Sequence, residues 1–182
     1  DNSEEEIDYN KYLEYIDAMK KIRNDVEIKK IKEKIKVELD IEQKLKLMQE
    51  KEYDFILAYG NEAEPQYVRY LSDYWPSFET AGVLVPAQGE AYLLIGPESY
   101  TYASDRSKIA KICRLKAFRE SSEPEYPGEK LDTFHSVIRM LLGSRKVKRF
   151  GVAGLPLMTV GVFEALSEAV DVKIEKADYI VN

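Results

Sequence analysis

The spacing of apolar positions changes near residue 53 and divides the chain into two kinds of pattern. Residues 1 to about 50 contain no Gly and no Pro and are rich in Glu and Lys. Apolar residues recur there in steps of three and four, which predicts an amphipathic helix. They form a first run of Leu13, Ile16, Met19, Ile22 and Val26 and a second of Ile31 and Ile35. Asp40 followed by Gln43 resembles a capping box, so we expect a second helix to begin there.

From residue 53 onward, short apolar runs bounded by turn residues predict strands that alternate with helices. The predicted strands cover residues 53–59, 82–86, 91–95, 112–118, 149–153 and 170–174. The predicted helices cover residues 98–111, 131–142 and 156–169. This order indicates an α/β fold with a mixed six-stranded sheet flanked by helices. We therefore expect a charged helical extension over residues 1–38 and one α/β domain over residues 39–182.

Composition and charge narrow the class of protein. Of the 182 residues, 45% are hydrophobic and 33% are charged, as is typical of soluble globular domains. The net charge of -6 gives no reason to expect nucleic-acid binding. No apolar run is long enough to predict a membrane span, and the acidic first residues do not resemble a signal peptide. Cys113 is the single cysteine, so no intrachain disulfide can form, and we expect a cytoplasmic protein.

Catalytic motifs are scarce in the sequence. His135 is the single histidine and lies in a predicted helix without a neighbouring motif, so a structural or surface role is favoured over a catalytic one. One histidine and one cysteine make a structural zinc site improbable, and we expect no cofactor and no catalytic or metal-binding residue in this chain. Residues 151–156 follow a strand and precede a helix, but they lack the third glycine of a dinucleotide-binding loop, which favours a tight turn.

An aromatic cluster is the most distinctive local feature. It comprises Tyr67, Tyr70, Tyr74, Trp75 and Phe78, with Arg69 among them. Pro65, Pro76 and the Ser72–Asp73 pair predict a short helix followed by a loop. Aromatic residues beside an arginine serve equally well as interface anchors, as pocket walls or as core, and the sequence leaves these alternatives open.

The order of several motifs resembles the N-terminal domain of the creatinase, prolidase and aminopeptidase P family over about residues 40–182. The matching segments are the helix 45–51, the segment 52–57, the Pro-containing 65–73, the strand–turn–strand 83–94, and the strand 150–154. Tyr67 stands where the family usually has Asn, and Asp73 where it usually has Gly.

The resemblance implies the accessory domain of an Xaa-Pro metallopeptidase. The family's catalytic "pita-bread" domain, which we expect to be absent from this chain, would follow. It would hold two divalent ions (Mn, Co or Zn) through two Asp, one His and two Glu. The domain resembled here shapes the active-site mouth and takes part in dimer contacts, so the resemblance implies a homo-oligomer. The candidate interface or substrate-gate residues are Arg69, Tyr74, Trp75, Phe78 and Glu79. No arginine corresponds to the creatine-binding one of creatinases, which favours a peptidase.

Two rival functions remain open. The chain could be a stand-alone binding or scaffolding module that pairs through its charged helix, or a small hydrolase of its own. The length of the parent gene separates the accessory domain from both rivals. The metal content of the purified chain separates it from the hydrolase.

Overall fold

The computed structural model describes residues 9–77, 79–119, 126 and 128–181, with only the backbone of residues 9–12. Its centre is a six-stranded mixed sheet, as the sequence predicts. The strands are β1 (Phe55–Asn61), β2 (Thr80–Pro86), β3 (Tyr92–Ile95), β4 (Ile112–Arg114), β5 (Phe150–Ala153) and β6 (Ile174–Lys176). Their order across the sheet is β4-β3-β2-β1-β5-β6. The β1–β2 and β2–β3 pairs are antiparallel, and the other three pairs are parallel.

Six helices accompany the sheet within the described residues. They are α1 (Tyr9–Glu50), α2 (Gln66–Ser72), α3 (Tyr100–Arg106), α4 (Phe134–Leu142), α5 (Val160–Val170) and α6 (Asp178–Val181). Three short 3₁₀ helices lie at Pro97–Ser99, Lys116–Phe118 and Leu155–Leu157. None of the helices described is long and apolar enough to cross a membrane.

The sheet is buried on both faces because its strands alternate between two hydrophobic layers. From β1, Ile56 and Ala58 join the layer that holds Met48 of α1 and residues of α2, α3 and α6. Phe55, Leu57 and Tyr59 join the opposite layer, with residues of α4 and α5. Strand β1 therefore lies at the centre of the core and fixes the positions of the elements on both sides.

Helix α1 is continuous from Tyr9 to Glu50, so the expectation of a second helix beginning at Asp40 is wrong. Residues of capping type do not interrupt a helix when neither Gly nor Pro breaks it, and this segment has neither. The described residues divide into two compact units between Lys36 and Val37. In the first unit most side chains are exposed, whereas in the second Val37 and Met48 are buried.

Several helices and strands begin or end at residues other than those predicted, in part because of helix caps. Helix α4 begins at Phe134 rather than 131, since Thr133 accepts from the Ser136 backbone N–H and forms a capping box. Helix α5 begins at Val160 and continues to Val170, the residue at which a strand was predicted. The sixth strand therefore starts only at Ile174. The predicted helix 98–111 is a 3₁₀ turn followed by α3, and the fourth strand ends at Arg114.

Candidate functional site

Two of the predicted interface residues meet at the surface after α2. The Arg69 guanidinium lies 4.9 Å from the centre of the Trp75 ring. The Trp75 side chain is 44% exposed, and its indole N–H donates to the backbone carbonyl of Glu62 at 3.3 Å. A stacked arginine and tryptophan with one apolar face open to solvent is a common composition for a binding surface.

Two others, Tyr74 and Glu79, lie in the interior instead. Tyr74 is fully buried and Glu79 is 9% exposed. The Tyr74 hydroxyl donates to Glu79 Oε1. The Tyr74 ring also lies 5.6 Å from the ring of Tyr102 on α3. The pair therefore supports the loop that carries Trp75 rather than facing a partner. The fifth candidate, Phe78, lies outside the described residues.

Burial controls the protonation of this interior pair. Burial raises the Glu79 pKa above its ordinary value, while Ser99, Tyr74 and the Gly96 backbone partly offset that rise. Ser99 and Gly96 face the carboxylate without a hydrogen bond of ordinary geometry to Oε2, which has no partner among the described residues. Burial also raises the Tyr74 pKa, with a further rise from Glu79. Tyr74 is therefore a neutral donor at physiological pH.

The chain turns at the end of α2 so that Tyr74 is buried and Trp75 is exposed. Asp73 ends the helix in a left-handed conformation with φ 56°, and its N–H donates to the Arg69 carbonyl. Ser72 Oγ donates to the Val68 carbonyl at 2.6 Å and accepts from the Tyr74 N–H at 3.2 Å. Glycine is the residue that most readily adopts this left-handed conformation, and Asp is one of the residues that tolerate it.

A cavity of about 550 Å³ lies between the Lys116–Phe118 turn, the start of α4, and α5. Its lining includes the exposed His135 together with Lys116, Arg119 and Glu168. It contains no nucleophilic thiol, since Cys113 is buried elsewhere in the core. Burial, with a smaller effect of Asp132, raises the Cys113 pKa to about 11, so the thiol stays protonated and unreactive.

Two polar networks that the sequence did not single out join the later strands to the rest of the domain. In the first, Asp178 Oδ1 accepts from the Tyr67 hydroxyl at 2.8 Å and from the Gly154 N–H at 3.2 Å. Burial alone would raise the Asp178 pKa, but these two donors, together with the Asp178 backbone N–H and the charge of Lys176, outweigh it and the pKa is lowered. The second network joins Arg149 to Glu175. No motif signals such pairs, because their members are far apart in the chain.

Comparisons with known proteins agree with this architecture. No protein-family model matches the sequence, and no curated protein matches it significantly. Among solved structures, the prolidase from Pyrococcus horikoshii OT3 is 19% identical with a TM-score of 0.53, over 78% of this chain and 33% of that one. The chain thus spans about a third of that prolidase.

Two further structures match over nearly their whole length. The creatinase/prolidase N-terminal domain of an X-Pro dipeptidase from Streptococcus pyogenes is 12% identical, with a TM-score of 0.53 over 76% of this chain and 99% of that one. The aminopeptidase P from Streptococcus thermophilus is 14% identical, with a TM-score of 0.54 over 80% of this chain and 94% of that one. The resemblance noted in the sequence is confirmed at the level of the fold. The chain has the fold of a creatinase/prolidase N-terminal domain.

Proposed function

We propose that this chain is the non-catalytic N-terminal domain of a metal-dependent Xaa-Pro peptidase of the aminopeptidase P or prolidase type. The observation that supports it best is the match to the N-terminal domain of the S. pyogenes X-Pro dipeptidase, which is covered over 99% of its length. The six-stranded sheet of this chain contributes buried residues to both layers of the core.

In this proposal the metal chemistry belongs to the parent protein's catalytic domain. Among the described residues, no group of three or more His, Cys, Asp or Glu side chains could hold a metal ion. These residues therefore do not fit a two-metal peptidase site, which needs several ligands at fixed separations. The two divalent ions that the resemblance implies are assigned to the parent, and no catalytic step is assigned to this chain.

The domain's own part in the proposal is to shape substrate access and to form oligomer contacts. Arg69 and Trp75 provide the surface for it, since the two side chains stack and remain open to solvent. Tyr74 and Glu79 stiffen the loop behind Trp75 through their buried hydrogen bond. A rigid aromatic anchor loses little conformational entropy on binding, which favours such a residue at a contact between subunits.

Two measurements test this function. The coding sequence after Asn182 is expected to encode the family's ligand set of two Asp, one His and two Glu. The purified chain is expected to hydrolyse no Xaa-Pro peptide, with or without Mn²⁺, Co²⁺ or Zn²⁺. Metal-dependent turnover by the chain alone, or a stop codon directly after Asn182, would count against the proposal.

A specific observation favours a second candidate, the binding or scaffolding module. Large apolar side chains of α1 are exposed, among them Met19 (52%), Ile22 (61%) and Ile31 (58%). An isolated helix with such residues is marginal in water, so a protein partner could cover them. If the chain pairs through this helix, removing residues 1–36 converts a dimer into a monomer in sedimentation. An unchanged dimer would exclude this candidate.

A further inference from the structure

Four exposed apolar side chains of α1 follow one another along a single face of the helix. They are Tyr15, Met19, Ile22 and Val26, and we call them the 15–26 row. The steps between them are four, three and four residues, which is the alternating spacing of a coiled-coil seam. All four lie in the first compact unit of the chain, Asp1–Lys36. Such a seam packs best against another helix, because each side chain then fits between side chains of the partner.

A second set of exposed apolar residues lies on the opposite face of the same helix. It comprises Ile28, Ile31 and Ile35, and we call it the 28–35 row. With 3.6 residues per turn, these positions lie on the far side of the helix from the 15–26 row. The two rows therefore cannot contact the same partner helix, and the charges of the segment decide between them.

The charge of the segment reverses near the centre of the 15–26 row. In residues 1–17 every charged residue except Lys11 is acidic, namely Asp1, Glu4, Glu5, Glu6, Asp8, Glu14 and Asp17. In residues 18–36 basic residues prevail over Asp25, Glu27 and Glu33, namely Lys20, Lys21, Arg23, Lys29, Lys30, Lys32, Lys34 and Lys36. Ion pairs within α1, such as that of Lys20 with Asp17 at 3.9 Å, are exposed and weak, and they leave this asymmetry in place.

We propose that two copies of this chain pair through the 15–26 row, with their α1 helices antiparallel. An antiparallel pair centred on this row sets Tyr15 against Val26 of the second copy, and Met19 against Ile22 of the second copy. The pairing is symmetric, so both copies use the same surface. It rests on the second candidate function, to which it gives a partner and an orientation, and it does not depend on the peptidase assignment.

Charge complementarity supports this row and this orientation. In the antiparallel pair, the acidic segment of each copy comes to the basic segment of the other. Parallel helices would instead place acidic beside acidic and basic beside basic, and like charges side by side oppose association. A pair centred on the 28–35 row would likewise set the basic segment of one copy beside that of the other. The reversal of charge at the centre of the 15–26 row therefore selects this row.

Disulfide trapping in the whole chain tests the orientation. Tyr15→Cys and Val26→Cys are made as separate variants, and the native Cys113 is buried. Oxidation of an equimolar mixture should give a covalent dimer, whereas neither variant should give one alone. The reason is that residues 15 and 26 lie about 16 Å apart along a helix, and a disulfide needs Cα atoms within about 7 Å of each other. Crosslinking of each variant with itself would overturn the antiparallel orientation while leaving pairing through α1 intact.

Sedimentation equilibrium of single variants tests the surface. Ile22→Glu should weaken the dimer at least about tenfold, because each copy loses an isoleucine from the contact. Ile31→Glu, in the 28–35 row, is the matched control and should change the dimerisation constant less than about twofold. Circular dichroism verifies that both variants fold. Raising the NaCl concentration should weaken the wild-type dimer, because salt screens the attraction between opposite charges.

Three results would overturn the proposal. A dimer that Ile31→Glu weakens and Ile22→Glu does not would move the contact to the 28–35 row. A dimer that neither variant changes, and that the cysteine mixture does not trap, would place the contact outside α1. A wild-type monomer at about 1 mM would remove the second candidate function together with this pairing. The peptidase assignment would stand in all three cases, since it is tested by the sequence after Asn182.

Discussion

The Arg149 guanidinium lies 4.3 Å from the centre of the Tyr53 ring, while its Nε and Nη2 donate to the two oxygens of Glu175, each at 2.8 Å. Its Nη1 donates to the Lys51 carbonyl just after α1. The Tyr53 hydroxyl donates to Glu175 Oε2 at 3.0 Å and lies 3.1 Å from the Tyr179 hydroxyl. One arginine therefore links the segment that follows α1 to the neighbouring strands β5 and β6.

Tyr53→Phe should lower the free energy of unfolding by about 1 kcal/mol, the net contribution of an ordinary hydrogen bond. The ring remains beneath Arg149, so only the hydroxyl contacts are lost. Urea denaturation measures the change. Tyr179→Phe is the matched control: its side chain is 49% exposed, and it should cost less. Equal stability of Tyr53→Phe and wild type would show that water replaces the hydroxyl contacts without loss.

The buried Glu79 carboxyl predicts a pH dependence of stability. Burial raises its pKa in the folded chain, so the unfolded chain releases this proton at lower pH than the folded chain does. The contribution of Glu79 to stability is therefore fully present below about pH 4.5, its ordinary pKa, and decreases as the pH rises toward the raised value. Glu79→Gln should lack this decrease.

The measurement is urea denaturation of wild type and Glu79→Gln between about pH 4 and 8. The stability of the variant relative to wild type should increase with pH. A difference that stays constant across this range would show that Glu79 ionises at its ordinary pKa despite its burial.

The layered fold could be predicted from the sequence because two patterns are local: the alternation of residues along a strand and the three- and four-residue spacing along a helix. The alternation in β1 assigns Ile56 and Phe55 to opposite faces before any contact is known. The helix boundaries were harder, since a cap is recognised only when the chain actually turns at it. Asp40 lies inside a continuous helix, whereas Asp73 turns left-handed and ends α2.

The candidate site was only partly predictable. The sequence left open whether the aromatic residues around Arg69 form an interface, a pocket wall or core, and the structure brings Arg69 and Trp75 together at the surface. Adjacent residues can nevertheless have opposite environments: Tyr74 is buried and Trp75 is exposed. The approach of Glu98 and the Phe118 carbonyl to Glu79 beside Gly96 depends on three loops that the sheet brings together. No spacing along the chain encodes it.

Removing residues 1–36 should leave a cooperatively folding domain. Most side chains of the described part of this segment are exposed, so we expect the free energy of unfolding to change by less than about 1 kcal/mol. Met48→Ala in the full chain is the contrasting control, because Met48 is fully buried and its truncation should cost about 2–5 kcal/mol. Thermal denaturation followed by circular dichroism measures both. A molten product from the deletion would show that these residues belong to the core.

Trp75→Ala should weaken self-association if Arg69 and Trp75 form the oligomer contact. Buried aromatic anchors typically contribute about 2 kcal/mol or more to binding, and Trp75 is exposed in the single chain, so the fold should be unaffected. Sedimentation equilibrium gives the dimerisation constant, and Met140→Ala, at an exposed apolar position on α4, is the control. If the Trp75 and Met140 variants dimerise equally well, the contact lies elsewhere, with α1 as the next surface to test.

Gly154→Ala should be among the most destabilising single changes in the domain. Gly154 has φ +86°, and a Cβ there would stand 2.3 Å from the Tyr59 carbonyl oxygen, a backbone atom of the central strand that cannot move aside. We expect a loss of about 3 kcal/mol or more, combining left-handed strain with overpacking. Gly89→Ala isolates the strain, because Gly89 has φ +102° with nothing within 4 Å of the added Cβ, and it should cost about 1–2 kcal/mol. Equal losses in the two variants, measured by urea denaturation, would show that β1 yields to the added methyl group and that the close contact contributes nothing.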